Sequence, residues 1–301
     1  MSRKINLTFL GTSDSIPSIK RNPTAILLNF YDENILIDCG EGTQRQFRKA
    51  KLNPCKLTRI LITHWHGDHV LGIPGLLQTL ALSGYNKKLF IYGPKGTKVL
   101  MKKLLDVFIF KRKYEIKIEE VKGKFFETPD FYLESKEMTH GIHCNAYTFV
   151  KKGKVKIDKK KLKKSNLPFG PLLQKLKEGK NISYKGKKYL AKNLTFKEED
   201  LKISFIFDTS MNKKIIPFVK NSDLLICESN FDAELSDKAK KHQHLTSKQA
   251  GNIAKKSNSK KLVLTHISQR YDENPQKILQ DAKKLFKNSF LIKDLDILEI
   301  K

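Results

Sequence analysis

The run Ile60-Leu61-Ile62-Thr63-His64-Trp65-His66-Gly67-Asp68-His69 constrains this chain more than any other. Its opening residues are apolar or β-branched, as a buried strand requires. The strand character then stops at a cluster of ligand-type side chains, His64, His66, Asp68 and His69. Imidazole nitrogens and carboxylate oxygens suit zinc and related divalent ions at about 2.0–2.2 Å. Histidines two apart in a turn can aim at one ion, which leaves Asp68 and His69 to face a second. An exposed histidine-rich turn is the bland reading, and it does not explain the buried strand leading in.

The pattern recurs along the chain. Residues 131–139 end at His140, 203–207 at Asp208, 224–227 at Glu228 and 262–265 at His266. With 60–63 before His64, five strand-like runs each deliver a ligand or acid–base residue at their carboxyl ends. In a layered α/β fold such ends converge on one edge, where active sites form. Any one of them could be a satisfied polar residue at a strand end, but coincidence explains five poorly. Other elements fit between them: a strand at 5–10 and a hairpin of 24–30 with 34–38, then a helix at 70–82, a strand at 89–92 and a helix at 97–108. Further helices are expected at 247–257 and 275–287, and a last strand at 290–300. At 301 residues the chain suits one large domain or two small ones, and a single domain with an inserted basic segment is the expectation.

Charge points to the partner. Lys and Arg number 59 against 31 acids, a formal net charge of +28. Such an excess favours polyanions through its long-range field and counterion release. A lysine-rich composition from an AT-rich genome would give the same total, so the clustering matters more. Residues 151–192 hold 16 lysines and two acids, and there the strand rhythm breaks. Lysines in such a segment contact phosphates without reading bases. A floppy basic loop is the alternative, but the Leu and Gly-Pro positions of Leu167-Pro168-Phe169-Gly170-Pro171-Leu172 argue for an ordered tip. Cys39, Cys55, Cys144 and Cys227 show no C-x-x-C spacing, so free thiols are expected. No apolar run approaches the roughly 18 residues of a membrane span, and no apolar leader opens the chain. A cytoplasmic protein without membrane contact is the expectation.

The spacing H-x-H-x-D-H resembles the signature of the metallo-β-lactamase superfamily. That resemblance implies a four-layer αββα sandwich, an α/β fold, with a two-metal hydrolytic centre. Three further stretches are similar to ribonuclease Z, the endonuclease that trims tRNA 3′ ends: Gly11-Thr12-Ser13 with Pro17 and Arg21-Asn22, Asp38-Cys39-Gly40-Glu41-Gly42-Thr43-Gln44, and Leu264-Thr265-His266-Ile267-Ser268-Gln269-Arg270-Tyr271. The matches run from residue 8 to 271. By this resemblance His64, His66 and His140 hold one ion, Asp68, His69 and His266 hold the other, and Asp208 bridges them. His143 is a bystander. Two zinc ions per subunit are implied, with manganese or iron compatible with the same donors.

Asp68 is then the expected proton acceptor, and His244, oriented by Glu228, the group that protonates or stabilises the leaving 3′ oxygen. Arg270 meets a substrate phosphate or forms a structural ion pair. The basic segment, at about 151–185, resembles the family's exosite arm, with Gly170, Pro171, Leu172, Lys175 and Lys177 contacting precursor tRNA. A homodimer is implied as well. The chain departs from the family pattern at Lys20, one place late in its loop, and at Gly84-Tyr85-Asn86, where an Arg is common. It departs again at Phe207, where Gly usually precedes the bridging Asp. Two other functions stay open: a metal-dependent phosphodiesterase of small substrates, and a catalytically dead nucleic-acid-binding module.

Overall fold

The structure is a computed structural model that describes residues 4–109 and 113–300. In chain order it begins β1 (Ile5–Gly11), β2 (Ala25–Phe30), β3 (Glu33–Ile37), α1 (Thr43–Lys49), β4 (Arg59–Leu61), α2 (Gly67–Val70), α3 (Ile73–Leu82), β5 (Leu89–Gly93), α4 (Thr97–Val107) and β6 (Ile116–Glu120). Next come β7 (Gly123–Glu127), β8 (Phe131–Glu137) and β9 (Asn145–Lys151). A basic segment follows, with β10 (Val155–Ile157), α5 (Lys159–Ser165), α6 (Leu172–Lys177), β11 (Ile182–Tyr184), β12 (Lys187–Tyr189), α7 (Ala191–Leu194) and β13 (Thr195–Lys197). The last part holds β14 (Leu201–Ile206), α8 (Ile215–Phe218), β15 (Leu224–Glu228), α9 (Ser236–Lys241), α10 (Ser247–Lys256), β16 (Leu262–Thr265), α11 (Gln276–Lys283), β17 (Ser289–Leu291) and β18 (Ile297–Ile300).

Alternation along the strands builds the layers. In β2, Ile26, Leu28 and Phe30 enter the core between two sheets, while Ala25 and Leu27 face helices. In β16, Val263 points to that central core while Leu262 and Leu264 point outward to α10 and α11. Period-two side chains that are apolar on both faces require a cover on each side. Leu76, Leu77 and Leu80 of α3 cover one sheet, and Ala250, Ile253 and Ala254 of α10 cover the other. Each large side chain so buried contributes about 1.5–3 kcal/mol. The result is the expected four-layer αββα sandwich. One seven-stranded sheet has the order β18-β1-β2-β3-β4-β5-β6 and the other β17-β16-β15-β14-β9-β8-β7.

Strand direction fixes where the polar residues gather. β14, β15 and β16 are parallel, and β8 runs the same way because β9 is antiparallel to both β8 and β14. In the first sheet β3 and β4 are parallel. The two sheets meet at this edge: Asn145 N donates to Thr63 O at 2.8 Å, and the Tyr147 hydroxyl donates to Ile62 O at 2.7 Å.

Three expectations differ in detail. The helix at 70–82 is broken into α2 and α3 around Gly72, whose N donates to Cys39 O at 2.9 Å. A Cβ on Gly72 would lie 2.0 Å from Gly40 O, so this close approach requires glycine. The last strand is two strands in different sheets. β17 pairs with β16 and β18 with β1, and the turn between them presents Asp294 to Thr12 Oγ1 and Asn22 N. The basic segment is ordered and longer than 151–185, because β13 returns to pair with β10. Leu162, Leu173, Leu176, Ile182, Tyr189 and Leu194 give it a small core separate from the other three. Cys39, Cys144 and Cys227 are buried free thiols, and Cys55 is half-buried. Among the described residues no helix is long and apolar enough to cross a membrane.

Candidate metal and catalytic centre

Seven of the sequence-derived residues meet at the shared edge in two groups of four that have Asp208 in common: His64, His66, His140 and Asp208, and Asp68, His69, His266 and Asp208. In the first group the ligand atoms are 2.9 Å apart for His64 Nε2 and His66 Nδ1, and 3.2 Å for His140 Nε2 and His66 Nδ1. Asp208 Oδ2 lies 3.4 Å from His64 Nε2 and 3.9 Å from His140 Nε2. In the second, Asp68 Oδ2 is 3.1 Å from His69 Nε2 and 3.4 Å from His266 Nε2. Asp208 Oδ1 is 3.2 Å from His266 Nε2. A tetrahedron with bonds of about 2.1 Å has edges of about 3.4 Å, so these spacings suit two zinc-sized ions. Buried His69 Nε2 and Asp208 Oδ1 have no hydrogen-bond partner, as vacant ligand atoms would.

Backbone shape aims the side chains. Asp38, Asp208 and His266 lie just beyond the ends of β3, β14 and β16, with φ of 57°, 31° and 56°. Left-handed turns of this kind concentrate at functional sites. Phe207 directly precedes Asp208 in this turn. Its ring is fully buried in the core between the sheets, and the carboxylate of Asp208 still reaches both groups.

The supporting contacts set the tautomers. Asp38, fully buried, accepts from Thr63 N at 2.7 Å, Thr63 Oγ1 at 2.8 Å and His69 Nδ1 at 2.7 Å. Since Thr63 Oγ1 gives its proton to Asp38, it accepts from His64 Nδ1 at 3.1 Å. Gln243 O accepts from His140 Nδ1 at 3.3 Å. His64, His69 and His140 thus keep Nε2 free for a cation. Asp38 opens the Asp38-Cys39-Gly40 motif, and no sequence pattern gives it a task. Its signal was an acid directly after an apolar strand.

Electrostatics point the same way. Burial pulls the His140 imidazole down to about 4, and burial followed by His69 lowers His64, so both are neutral, the ligand form. Burial would raise Asp208, but His266, His69 and His64 outweigh it and hold the carboxyl well below its usual range. Burial also opposes charge on His69 and His266, yet the surrounding carboxylates raise both. The centre calls for positive charge, which divalent cations on Nε2 would supply with the rings neutral.

Next to these groups, His244 Nδ1 donates to Glu228 Oε2 at 2.8 Å, and Glu228 Oε1 accepts from Thr209 N at 2.7 Å. Burial lowers the His244 imidazolium, but Glu228 and then Asp208 reverse that and raise it to about 9. With Nδ1 committed, Nε2 is the proton it can give. A cavity of about 410 Å³ opens here, lined by ligand-type residues together with Ser15, His242 and His244. His242 stands two residues before His244, and no motif marks it in the sequence.

The remaining expected residues lie elsewhere. Arg270 lines a neighbouring cavity, and its Nε donates to Ser268 Oγ at 3.0 Å. Lys175 and Lys177 are exposed on α6, Gly170 and Pro171 are exposed before it, and Leu172 packs against the basic segment's own core. His143 pairs with Glu137 at 3.0 Å, apart from the two groups. Lys20 pairs with Glu273, while Arg21 is buried and donates to Thr12 Oγ1 and Ile292 O.

The family profile described as "Anti-Pycsar protein Apyc1" matches residues 5–151, a span that leaves out Asp208, His244, His266 and the basic segment. Full-length likeness lies with other proteins. The chain is 38% identical to "Ribonuclease Z" of Nanoarchaeum equitans, covering 97% of this chain and 92% of that one. It is 36% identical to "Ribonuclease Z" of Listeria monocytogenes over 98% and 99% of the two chains. Among solved structures, human tRNase Z, short form, aligns with a TM-score of 0.71 at 25% identity, covering 97% of this chain and 98% of that one. The metallo-β-lactamase fold protein YhfI from Bacillus subtilis shares the fold, with a TM-score of 0.72 at 20% identity and coverage of 99% and 100%. With the ligand-type residues, the Glu228–His244 pair and the basic segment all inside the aligned length, the chain belongs to the ribonuclease Z family.

Proposed function

We propose that this chain removes 3′ trailers from precursor tRNA by hydrolysing one phosphodiester bond, leaving a 3′-hydroxyl on the tRNA and a 5′-phosphate on the trailer. The observation that carries this is the pair of four-donor groups joined by Asp208 beside the Glu228–His244 pair. His64, His66, His140 and Asp208 would hold one ion, and Asp68, His69, His266 and Asp208 the other. Two such cations supply Lewis-acid activation of water and neutralise charge on the phosphate. Zinc fits the nitrogen-rich donor set first, and manganese or iron would fit the same residues.

The protein's own groups do the rest. Asp68, kept ionised by His69 and His266 against its burial, accepts the proton lost by the attacking water. His244 holds a proton at neutral pH and delivers it from Nε2 to the leaving 3′ oxygen, with Glu228 fixing the ring. The lysines of the basic segment, Lys175 and Lys177 among them, grip tRNA phosphates as a sequence-tolerant exosite. We read the working form as a cytoplasmic homodimer, which sedimentation of the purified protein tests. The function itself is tested by comparing cleavage of a 3′-extended tRNA with that of a small chromogenic phosphodiester. A strong preference in kcat/KM for the tRNA is expected. Equal or better use of the small ester would favour a general phosphodiesterase, and no cleavage of either by metal-loaded protein would mean a binding module.

A further inference from the structure

Beside the metal centre lies a second cavity of about 440 Å³ that the chemistry above does not use. The two cavities share Ser15, His242 and His244, so a group seated in the second adjoins the bond being cut. The distinctive feature of this cavity is its flat surfaces. Phe231 is buried, and the Arg270 guanidinium carbon sits 4.7 Å from the centre of its ring. The His242 ring lies nearly parallel to Phe231, at 16° and 6.3 Å between centroids. Both Arg270 and His242 are exposed to solvent. Ser268 Oγ accepts from Arg270 Nε, which helps hold the planar guanidinium group above the aromatic ring. Ile16, 52% exposed, gives an apolar contact. Asp14 and Asn230, buried and hydrogen-bonded to each other at 3.2 Å, give polar edges.

A guanidinium plane, an aromatic plane, an apolar contact and a few polar edges are what an unpaired nucleobase needs for stacking and edge recognition. We propose that this cavity holds one unstacked nucleobase of the RNA, that of the last nucleotide retained on the tRNA side of the scissile bond. The side follows from His244, and here the inference rests on the hydrolysis proposed above. The nucleoside whose 3′ oxygen leaves must sit beside the Nε2 that protonates it, and His244 lines this cavity as well as the metal centre. Arg270 is therefore a stacking platform for that base and not a phosphate clamp.

The test uses metal-loaded protein and three 3′-extended tRNAs: intact, abasic at the last retained nucleotide, and abasic at the first trailer nucleotide. For the parent enzyme, the tRNA-side abasic change should lower kcat/KM roughly 5–150-fold, the loss expected for one stacked base, and the trailer-side change far less. Arg270→Ala should lose a similar factor on the intact substrate and little more on the abasic one, with metal content unchanged. Arg270→Lys keeps the charge but loses the plane, so it should resemble Arg270→Ala. Rescue by Lys would overturn the proposal in favour of a phosphate contact. An undiminished abasic penalty in Arg270→Ala, or a penalty confined to the trailer side, would also overturn it. Failure of the parent enzyme to cut the intact precursor at the tRNA boundary is a distinct result, which refutes the hydrolysis reading and this assignment with it.

Discussion

Replacing Asp38 by Asn tests the support beneath the donors, directly at His69 and through Thr63 at His64. Asp38 sits in a left-handed backbone at φ 57°, a conformation that Asn tolerates well, so the substitution leaves the turn intact. What changes is hydrogen bonding. One oxygen can still accept from Thr63 N, but the new amide NH₂ faces two donors, Thr63 Oγ1 and His69 Nδ1. In a fully buried site this opposition costs about 1–3 kcal/mol. His69 can relieve it by moving its proton to Nε2, the atom needed by the ion. Either route weakens metal binding, and loss of such a supporting contact is usually worth 10–100-fold in affinity, about 1.4–2.7 kcal/mol. The two estimates agree. Titrating metal-free protein with zinc against a chromophoric chelator should show the His69 site weakened by that factor and the His64 site weakened less, since His64 Nδ1 reaches Asp38 only through Thr63 Oγ1. Two sites at parental affinity would refute the tautomer argument.

Other perturbations separate the remaining roles. Asp208→Ala should lose both metals and all cleavage, because its carboxylate belongs to both groups; elemental analysis showing full occupancy would exclude a bridging role. His244→Ala should keep its metal while single-turnover cleavage slows roughly 10²–10⁴-fold. Because the folded His244 is raised to about 9, the general acid stays protonated at neutral pH, and the rate should fall as pH rises through that value. Glu228→Gln removes the largest raising influence, so the fall should move to lower pH; an unmoved profile would uncouple the pair. Deleting residues 155–197 and joining 154 to 198 by a short linker should leave a metal-loaded protein, since the deleted elements carry their own core and β10 and β13 bring the ends together. Small-diester cleavage should persist, while tRNA binding weakens and loses salt dependence; equal losses on both substrates would give the segment a structural task instead.

How much the sequence disclosed depended on range. His64, His66, Asp68 and His69 were legible because they are adjacent, and Asp208 and His266 because each ends an apolar run. Asp38 also ends an apolar run, but its task was hidden, since its partners lie 25 and 31 residues away and only the pairing of β3 with β4 brings them together. The break at Gly72 was hidden for the same reason: helical periodicity continues across it, and the cause is the Gly40 carbonyl. The run at 290–300 read as one strand because nothing local shows that Asp294 turns the chain between sheets. The basic segment's outer limit was missed because its closing strand, β13, pairs with β10 across the whole insertion. Stacking of Arg270 on Phe231 joins two motifs that no spacing rule connects.

The most direct measurement is the chemistry of the product ends. A 3′-extended tRNA cleaved by metal-loaded protein in water enriched with heavy oxygen, with both fragments analysed by mass spectrometry, shows which bond breaks and where water enters. Water attack with His244 protonating the 3′ oxygen gives an unlabelled 3′-hydroxyl on the tRNA and one heavy oxygen in the trailer's 5′-phosphate. A 3′-phosphate or 2′,3′-cyclic phosphate on the tRNA, or label retained there, would contradict it.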